Sequence, residues 1–268
     1  MNYAEKIITH KSLKNDVLCY WQMSGDLDEA VGIYSRYLPK GQNLLIFNYG
    51  SDIEYLEATK FKYLNPKIFV VPAFATSRII NQKGKIDLFG ISFIGDGIYK
   101  LMEQPILKIV DHFPNNSRLK YKELHAELSM LSFSNKTECA EKFLTANLNQ
   151  NLNSPPFQQA IKIIHQAKGV VTIGDISKNV YVSERQLQRL FKTRVGISPK
   201  DYCKIIRLNS YIDFMLSKDK SVDWMELVVE YDYHDQPHLI NEVKSITKLS
   251  PKKLQNYRDT LYHRYIQK

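Results

Sequence analysis

Residues 173–195 read IGDISKNVYVSERQLQRLFKTRV, and this stretch has the pattern of two short helices joined by a tight turn. The first helix carries an apolar stripe, and Ser183 is a good N-cap for the second helix. The second helix would bury one face, formed by Leu187, Leu190 and Phe191. The pattern therefore predicts a helix-turn-helix unit.

The outer face of the second helix is polar and mainly basic. Arginine binds guanine with two hydrogen bonds, glutamine binds adenine in the same way, and basic side chains neutralise phosphate. A helical hairpin whose charges only face water is the alternative that this stretch alone leaves open. The candidate DNA contacts in this unit are Ser183, Arg185, Gln186, Gln188, Arg189, Lys192 and Arg194.

The order of elements then repeats along the chain. Gly196 is a plausible helix-ending glycine, and a long helical segment follows at 199–216. Residues 222–254 again give a short helix, a turn, a second helix and a Leu-Ser-Pro sequence. The long helix is expected to bury Tyr202, Ile205, Ile206, Leu208 and Tyr211.

Over about residues 158–258 the sequence resembles the AraC/XylS family of transcription regulators. The segments SERQLQRLFKTRVGISPKDYCKIIRL (183–208) and DYHDQPHLINEVKSITKLSP (232–251) carry the resemblance. It implies two helix-turn-helix units joined by a linker helix. Such a clamp would place two recognition helices in successive major grooves, about 34 Å apart. The implied function is a sequence-specific regulator, an activator or a repressor, that binds double-stranded DNA.

The chain departs from the family pattern mainly in its second unit. Tyr181 and Asp232 stand where the family has the turn glycine, and Asn241 stands where a basic residue is customary. Pro237 falls at the start of the second recognition helix, where the first turn tolerates proline.

We therefore expect the second unit to fold but to contact DNA more weakly, because Asp235 and Glu242 add negative charge beside its recognition helix. Its candidate DNA contacts are Gln236, His238, Asn241 and Lys244.

The first half of the chain is predicted to be rich in strands, at 42–49, 68–71, 76–80 and 87–94, with two helices between 121 and 148. The Asn-rich segment 147–156 is interpreted as an interdomain linker. The fold class is thus α+β. A β-rich, barrel-like domain with helices spans residues 1–148, and an all-α domain of two helix-turn-helix units with a linker helix spans residues 156–268.

The resemblance implies a cupin-like N-terminal domain that senses a small-molecule effector or forms a homodimer. The strand region holds no His-x-His pair, so we assign no metal ligands, catalytic residues or cofactor. Two alternatives remain open: an enzyme with a cupin-like domain, and a protein-interaction module with a degenerate second helix-turn-helix unit.

Charge and composition agree with a DNA-binding protein. The 37 Lys and Arg outnumber the 28 Asp and Glu, and from Pro155 onward 19 basic residues face 12 acidic ones. A basic half suggests a polyanionic partner. The three scattered cysteines and the polar first residues predict a cytoplasmic protein, and the lack of a long apolar stretch argues against a membrane span. The resemblance to transcription regulators implies that the protein is not an enzyme.

Overall fold

The computed structural model describes residues 1–8, 10–29, 32–57, 60–64, 67–111, 118–217 and 224–256. Nine strands come first in the described residues: β1 (Asn2–Ile7), β2 (Val17–Asp26), β3 (Ile33–Tyr37), β4 (Asn43–Asn48), β5 (Ile53–Glu57), β6 (Lys60–Leu64), β7 (Ile68–Val71), β8 (Arg78–Gln82) and β9 (Lys85–Phe93). In the same part of the chain they are followed by four helices: α1 (Gly97–Met102), α2 (Ile106–Asp111), α3 (Arg118–Ser129) and α4 (Phe133–Asn147). We call β1 to α4 the N-terminal domain.

The strands form two antiparallel sheets, in the orders β1-β2-β9-β4-β7 and β3-β8-β5-β6. Trp21, Met23 and Leu88 of the first sheet share a buried cluster with Ile53 of the second, so the sheets face each other. In the five-stranded sheet Trp21 is paired with Gly90, and a Cβ on that glycine would lie 2.0 Å from the indole ring. Glycine is therefore required for the tryptophan to pack across the sheet.

The other face of the five-stranded sheet packs against α1 to α4. Phe47, Phe89 and Phe93 are fully buried there with Tyr121 and Leu144 of the helices. Strands β4, β7, β8 and β9 and helices α3 and α4 were expected from the sequence, within a few residues of their observed ends. The expected β-rich domain with helices is confirmed.

Seven helices complete the described chain: α5 (Pro155–Gln166), α6 (Ile173–Asn179), α7 (Glu184–Arg194), α8 (Pro199–Ser217), α9 (Trp224–Glu230), α10 (Gln236–Thr247) and α11 (Pro251–Asn256). We call α5 to α11 the C-terminal domain. Only a short 3₁₀ turn at Gln150–Leu152 separates α4 from α5, in the segment interpreted as a linker. The expected end of the C-terminal domain, at residue 268, lies outside the described residues.

Candidate nucleic-acid interface

The recognition helix of the first unit, α7, begins with a reciprocal capping arrangement. Ser183 Oγ accepts a hydrogen bond from the Gln186 backbone N–H (3.2 Å), and Gln186 Oε1 accepts one from the Ser183 backbone N–H (2.9 Å). Both amides would otherwise lack a partner at the helix start. The expected N-cap is confirmed. The two side chains thus hold the helix start, and their contact with DNA stays a prediction.

The outer face of α7 is open to solvent. Leu187 and Phe191 are fully buried on its inner face. The exposed side chains opposite them are Arg185, Gln188, Arg189 and Lys192. This surface offers two guanidinium groups, an amide and an ammonium group, which are the donors that read bases and bind phosphate.

Arg194, the last residue of α7, has a different place from the one expected. Its guanidinium forms an ion pair with Asp96 of the N-terminal domain and donates to the Leu152 backbone carbonyl (2.9 Å). The group also lies over the Tyr99 ring, 4.7 Å from its centroid, and the side chain is only 11% exposed. The expected phosphate contact is therefore corrected: Arg194 joins the two domains.

Asp96 belongs to a buried charge cluster that the sequence analysis did not identify. Its carboxylate lies 3.3 Å from Lys100 Nζ, which in turn lies 2.7 Å from Asp16 Oδ1. Burial raises the pKa of Asp96, against the opposing effect of Lys100 and Arg194. In the sequence, Asp96 stands between two glycines at a turn and gives no sign of a partner 98 residues away.

The two turns keep the backbone shape that glycine usually provides. Tyr181 has φ 55° and Asp232 has φ 52°, both in the left-handed region. The turns close in the same way, since the Val182 amide donates to the Ser177 carbonyl and the Tyr233 amide donates to the Val228 carbonyl. The helix-turn-helix geometry thus persists without glycine, at a conformational cost.

The recognition helix of the second unit, α10, starts at a carboxylate cap. Asp235 accepts a hydrogen bond from the His238 backbone N–H (2.8 Å), and Pro237 lies in the first turn as expected. That hydrogen bond, together with one that the carboxylate accepts from the His234 ring, holds the pKa of Asp235 below its ordinary value. The exposed start of α10 therefore carries a negative charge at neutral pH.

The outer face of α10 has fewer groups that suit DNA. The proposed contacts are all exposed there: Gln236, His238, Asn241 and Lys244. Asn241 stands nine residues before the Ser-Pro pair of its unit, as Arg189 does in the first unit. An amide thus replaces the guanidinium at the equivalent position.

Glu242 does not face this surface, which corrects the expectation that it opposes DNA binding. Its carboxylate binds Arg207 of α8 through three hydrogen bonds of 2.7 to 3.0 Å and accepts one from the Tyr233 hydroxyl (2.9 Å). The Glu242 side chain is only 5% exposed. Its charge therefore serves to attach α10 to α8.

Helix α8 contributes to the cores of both units. Tyr202, Ile205 and Ile206 pack with the first unit, whereas Leu208 and Tyr211 pack with the second. All five were expected to point inward, and all five are buried. One continuous helix therefore connects the cores of the two units.

Within the described ranges, no group of three or more His, Cys, Asp or Glu side chains could hold a metal ion. None of the helices in that part of the chain has the length and hydrophobicity that crossing a bilayer requires.

Two family models match the chain. A family described as "Helix-turn-helix domain" matches residues 176–257, and "Domain of unknown function (DUF6597)" matches residues 5–114. No curated protein matches.

Solved structures are similar at low identity. An AraC-type transcriptional regulator from Chromobacterium violaceum is 24% identical over 40% of this chain and 95% of its own, with a TM-score of 0.35. ToxT from Vibrio cholerae is 11% identical over 88% and 98%, with a TM-score of 0.45. A cupin superfamily protein from Desulfitobacterium hafniense is 18% identical over 35% and 78%, with a TM-score of 0.26.

The family match covers both units and the helix between them, from α6 to the end of the described chain. The same residues form two capped recognition helices on one linker helix. Residues 176–257 therefore form a helix-turn-helix domain, and its two units on one linker helix agree with the resemblance to AraC-type regulators.

Proposed function

We propose that this chain is a DNA-binding transcription regulator that recognises a specific DNA sequence, with most base readout on α7 and a weaker, mainly backbone contact on α10. One observation carries the proposal: α7 exposes Arg185, Gln188 and Arg189 on one face while its opposite face is fully buried. A helix anchored in this way can enter a major groove with its donors already in place.

The second recognition helix would enter the next major groove on the same side of the duplex, about 34 Å away. Lys244 can neutralise a phosphate there, and Gln236, His238 and Asn241 can reach base edges or sugar-phosphate groups. The charged cap at Asp235 weakens the attraction of this helix for the DNA backbone.

Selection of bound fragments from a random duplex pool by the full chain tests the proposal. We expect enriched sequences with a strongly specified half-site and a weakly specified one, and a footprint of about two helical turns. Equal retention of enriched and scrambled duplexes would contradict sequence-specific binding.

A charge-matched pair of variants separates readout from general electrostatics. Replacing Arg185 and Arg189 with alanine should abolish the preference for the selected sequence. Replacing Lys142 and Lys162 with alanine removes the same charge from exposed positions outside both units and should leave the preference intact. The salt dependence separates this proposal from a protein-interaction module. Such a module would not bind DNA even at low salt, whereas a DNA-binding protein binds DNA most tightly at low salt.

We further propose that the N-terminal domain takes up a small polar effector between its two sheets. Ser35 Oγ and Gln82 Nε2 are buried without a hydrogen-bond partner on the adjacent strands β3 and β8. Gln82 is paired with Ile53, which belongs to the cluster between the sheets. Unsatisfied buried polar groups are costly, and a bound polar molecule would satisfy them.

A thermal-shift screen of small polar metabolites tests the effector proposal. A true effector should stabilise the wild-type protein in a concentration-dependent manner and lose this effect in a Gln82→Leu variant. Stabilisation that is equal in both proteins would contradict binding at this place.

A further inference from the structure

The recognition helices α7 and α10 both end against the N-terminal domain. At α7 the contact is the Arg194–Asp96 ion pair, followed by Gly196, where an added Cβ would lie 2.8 Å from Ile106. At α10 the contact is a set of hydrogen bonds to the last two residues of the helix, Ile246 and Thr247. The opposite ends of the two helices, which begin at Ser183 and Asp235, are exposed.

The end of α10 receives its donors from the N-terminal domain. The Ser77 backbone N–H donates to the Ile246 carbonyl (2.7 Å), and Ser77 Oγ donates to the Thr247 carbonyl (2.8 Å). Arg36 donates to Ser77 Oγ (3.0 Å) and, at 3.4 Å, to the same Thr247 carbonyl. The last carbonyls of a helix have no partner within the helix and carry its negative dipole end, so amide, hydroxyl and guanidinium donors all suit them.

Apolar packing supports this contact. Leu38, directly after β3, is buried in the core of the second unit with Leu208 and Leu239. The neighbouring Pro39 carbonyl lies 3.4 Å from the Asn209 amide of α8. Strand β3 and the residues that follow it are therefore fixed to α8 and α10 together.

We propose that Arg36 and Ser77 are positioning residues for DNA recognition. From the N-terminal domain they hold the end of α10, and the same domain holds the end of α7 through Asp96. Arg36 and Ser77 thereby set the distance between the two recognition helices. The inference rests on the proposed two-helix recognition of DNA. Neither residue is placed to touch DNA, because both contact the end of α10 that lies opposite its exposed start. The N-terminal domain thereby determines which spacing between two half-sites the protein accepts.

A distance measurement without DNA tests the positioning directly. Spin labels are placed at Gln188→Cys on α7 and Lys244→Cys on α10, both exposed, in a Cys139→Ser background because the other two cysteines are buried. We expect one narrow distance distribution for the full chain and a broader one after Arg36→Met and Ser77→Ala. Ser77→Thr, which keeps the hydroxyl, should restore the narrow distribution when Arg36 is present.

The matched control is Ser129→Ala. The Ser129 hydroxyl also donates to a backbone carbonyl, that of Ala126 (2.6 Å), but on α3 within the N-terminal domain. This variant should leave the distance distribution unchanged.

DNA selection with the full chain then tests the functional consequence. Duplexes enriched by the wild type should share one spacing between the two half-sites. The Arg36→Met/Ser77→Ala variant should also accept half-sites that lie one or two base pairs nearer or farther apart. Its binding to duplexes with the original spacing should be roughly tenfold weaker. The sequence of the first half-site should not change.

An unchanged distance distribution overturns the proposal, and so does a broadened distribution with an unaltered spacing preference. If the wild type enriches no sequence at all, the proposed function fails, while the distance measurement still decides whether Arg36 and Ser77 position α10.

Discussion

The two helix-turn-helix units share one architecture but use their charges differently. Helix α7 carries four basic residues and one acidic residue, and three of the basic ones face solvent. Helix α10 carries one lysine and one glutamate, and the glutamate is buried against α8. The first unit thus exposes most of its basic groups, as the proposed contact with DNA requires, whereas the glutamate of the second unit holds α10 in position.

The turns differ as well. The first unit connects its helices through Val180–Ser183, and the second needs one residue more, from Tyr231 to Asp235. The extra residue is His234, which lies between the turn and the cap. The two units therefore share a fold but differ in the length of the connection between their helices.

The largest effect that we expect is on the stability of the second unit. Glu242→Ala would leave the Arg207 guanidinium unpaired and largely buried, at a cost of about 3–5 kcal/mol in the free energy of unfolding. Urea titration measures this change. Lys244→Ala, on the exposed face of the same helix, should change the value by less than about 0.5 kcal/mol. Equal effects of the two variants would disprove the structural role of Glu242.

The next effect concerns base readout at equivalent positions. Arg189→Ala should weaken binding to the selected duplex by about 1–3 kcal/mol and relax one base position. Asn241→Ala should cost less than about 1 kcal/mol of binding free energy, because the asparagine amide makes a weaker contact with DNA than the arginine guanidinium does. Titration of labelled duplexes at fixed salt gives both values, and a larger loss for Asn241→Ala would reverse the comparison.

A smaller effect tests whether α10 contacts the DNA backbone. Lys192→Ala should reduce the slope of log K against log salt by about 1, as expected when one phosphate contact is lost. Lys244→Ala should reduce this slope by a similar amount only if α10 also contacts a DNA phosphate. An unchanged slope for Lys244→Ala, beside a reduced slope for Lys192→Ala, would confine DNA contact to the first unit.

The smallest effect concerns the turns. Tyr181→Gly relieves a left-handed backbone and should stabilise the protein by about 0.5 kcal/mol, because the strain removed slightly exceeds the added entropy of the unfolded chain. Asp232→Gly should gain less, since aspartate tolerates this conformation better than tyrosine does. Thermal melts compare the two variants, and a destabilised Tyr181→Gly would show that the entropy of the unfolded chain outweighs the backbone strain.

Much of the C-terminal domain could be predicted because its signals are local. Ser183 caps α7, the residues expected to face inward on α8 are buried, and α10 begins with Pro237 in its first turn, all as expected. Each of these features depends on neighbours within a few positions along the chain. Strands β1, β2, β3, β5 and β6 were not identified. β2 pairs with β9 and β3 with β8, both far along the chain, and so give no local signal, whereas β5 and β6 are adjacent strands that the sequence pattern still did not reveal.

By itself, the sequence determined the tandem helix-turn-helix order and the polar outer face of α7, because helical periodicity, caps and Ser-Pro pairs act over single turns of helix. Only the tertiary structure decided the roles of Arg194 and Glu242. In the sequence, each lies on a recognition helix with no local feature that shows whether its side chain faces DNA or another part of the protein. Their partners, Asp96 and Arg207, lie 98 and 35 residues away. Charge and hydrogen bonding depend on distance in space, and that distance is set only when both domains pack together.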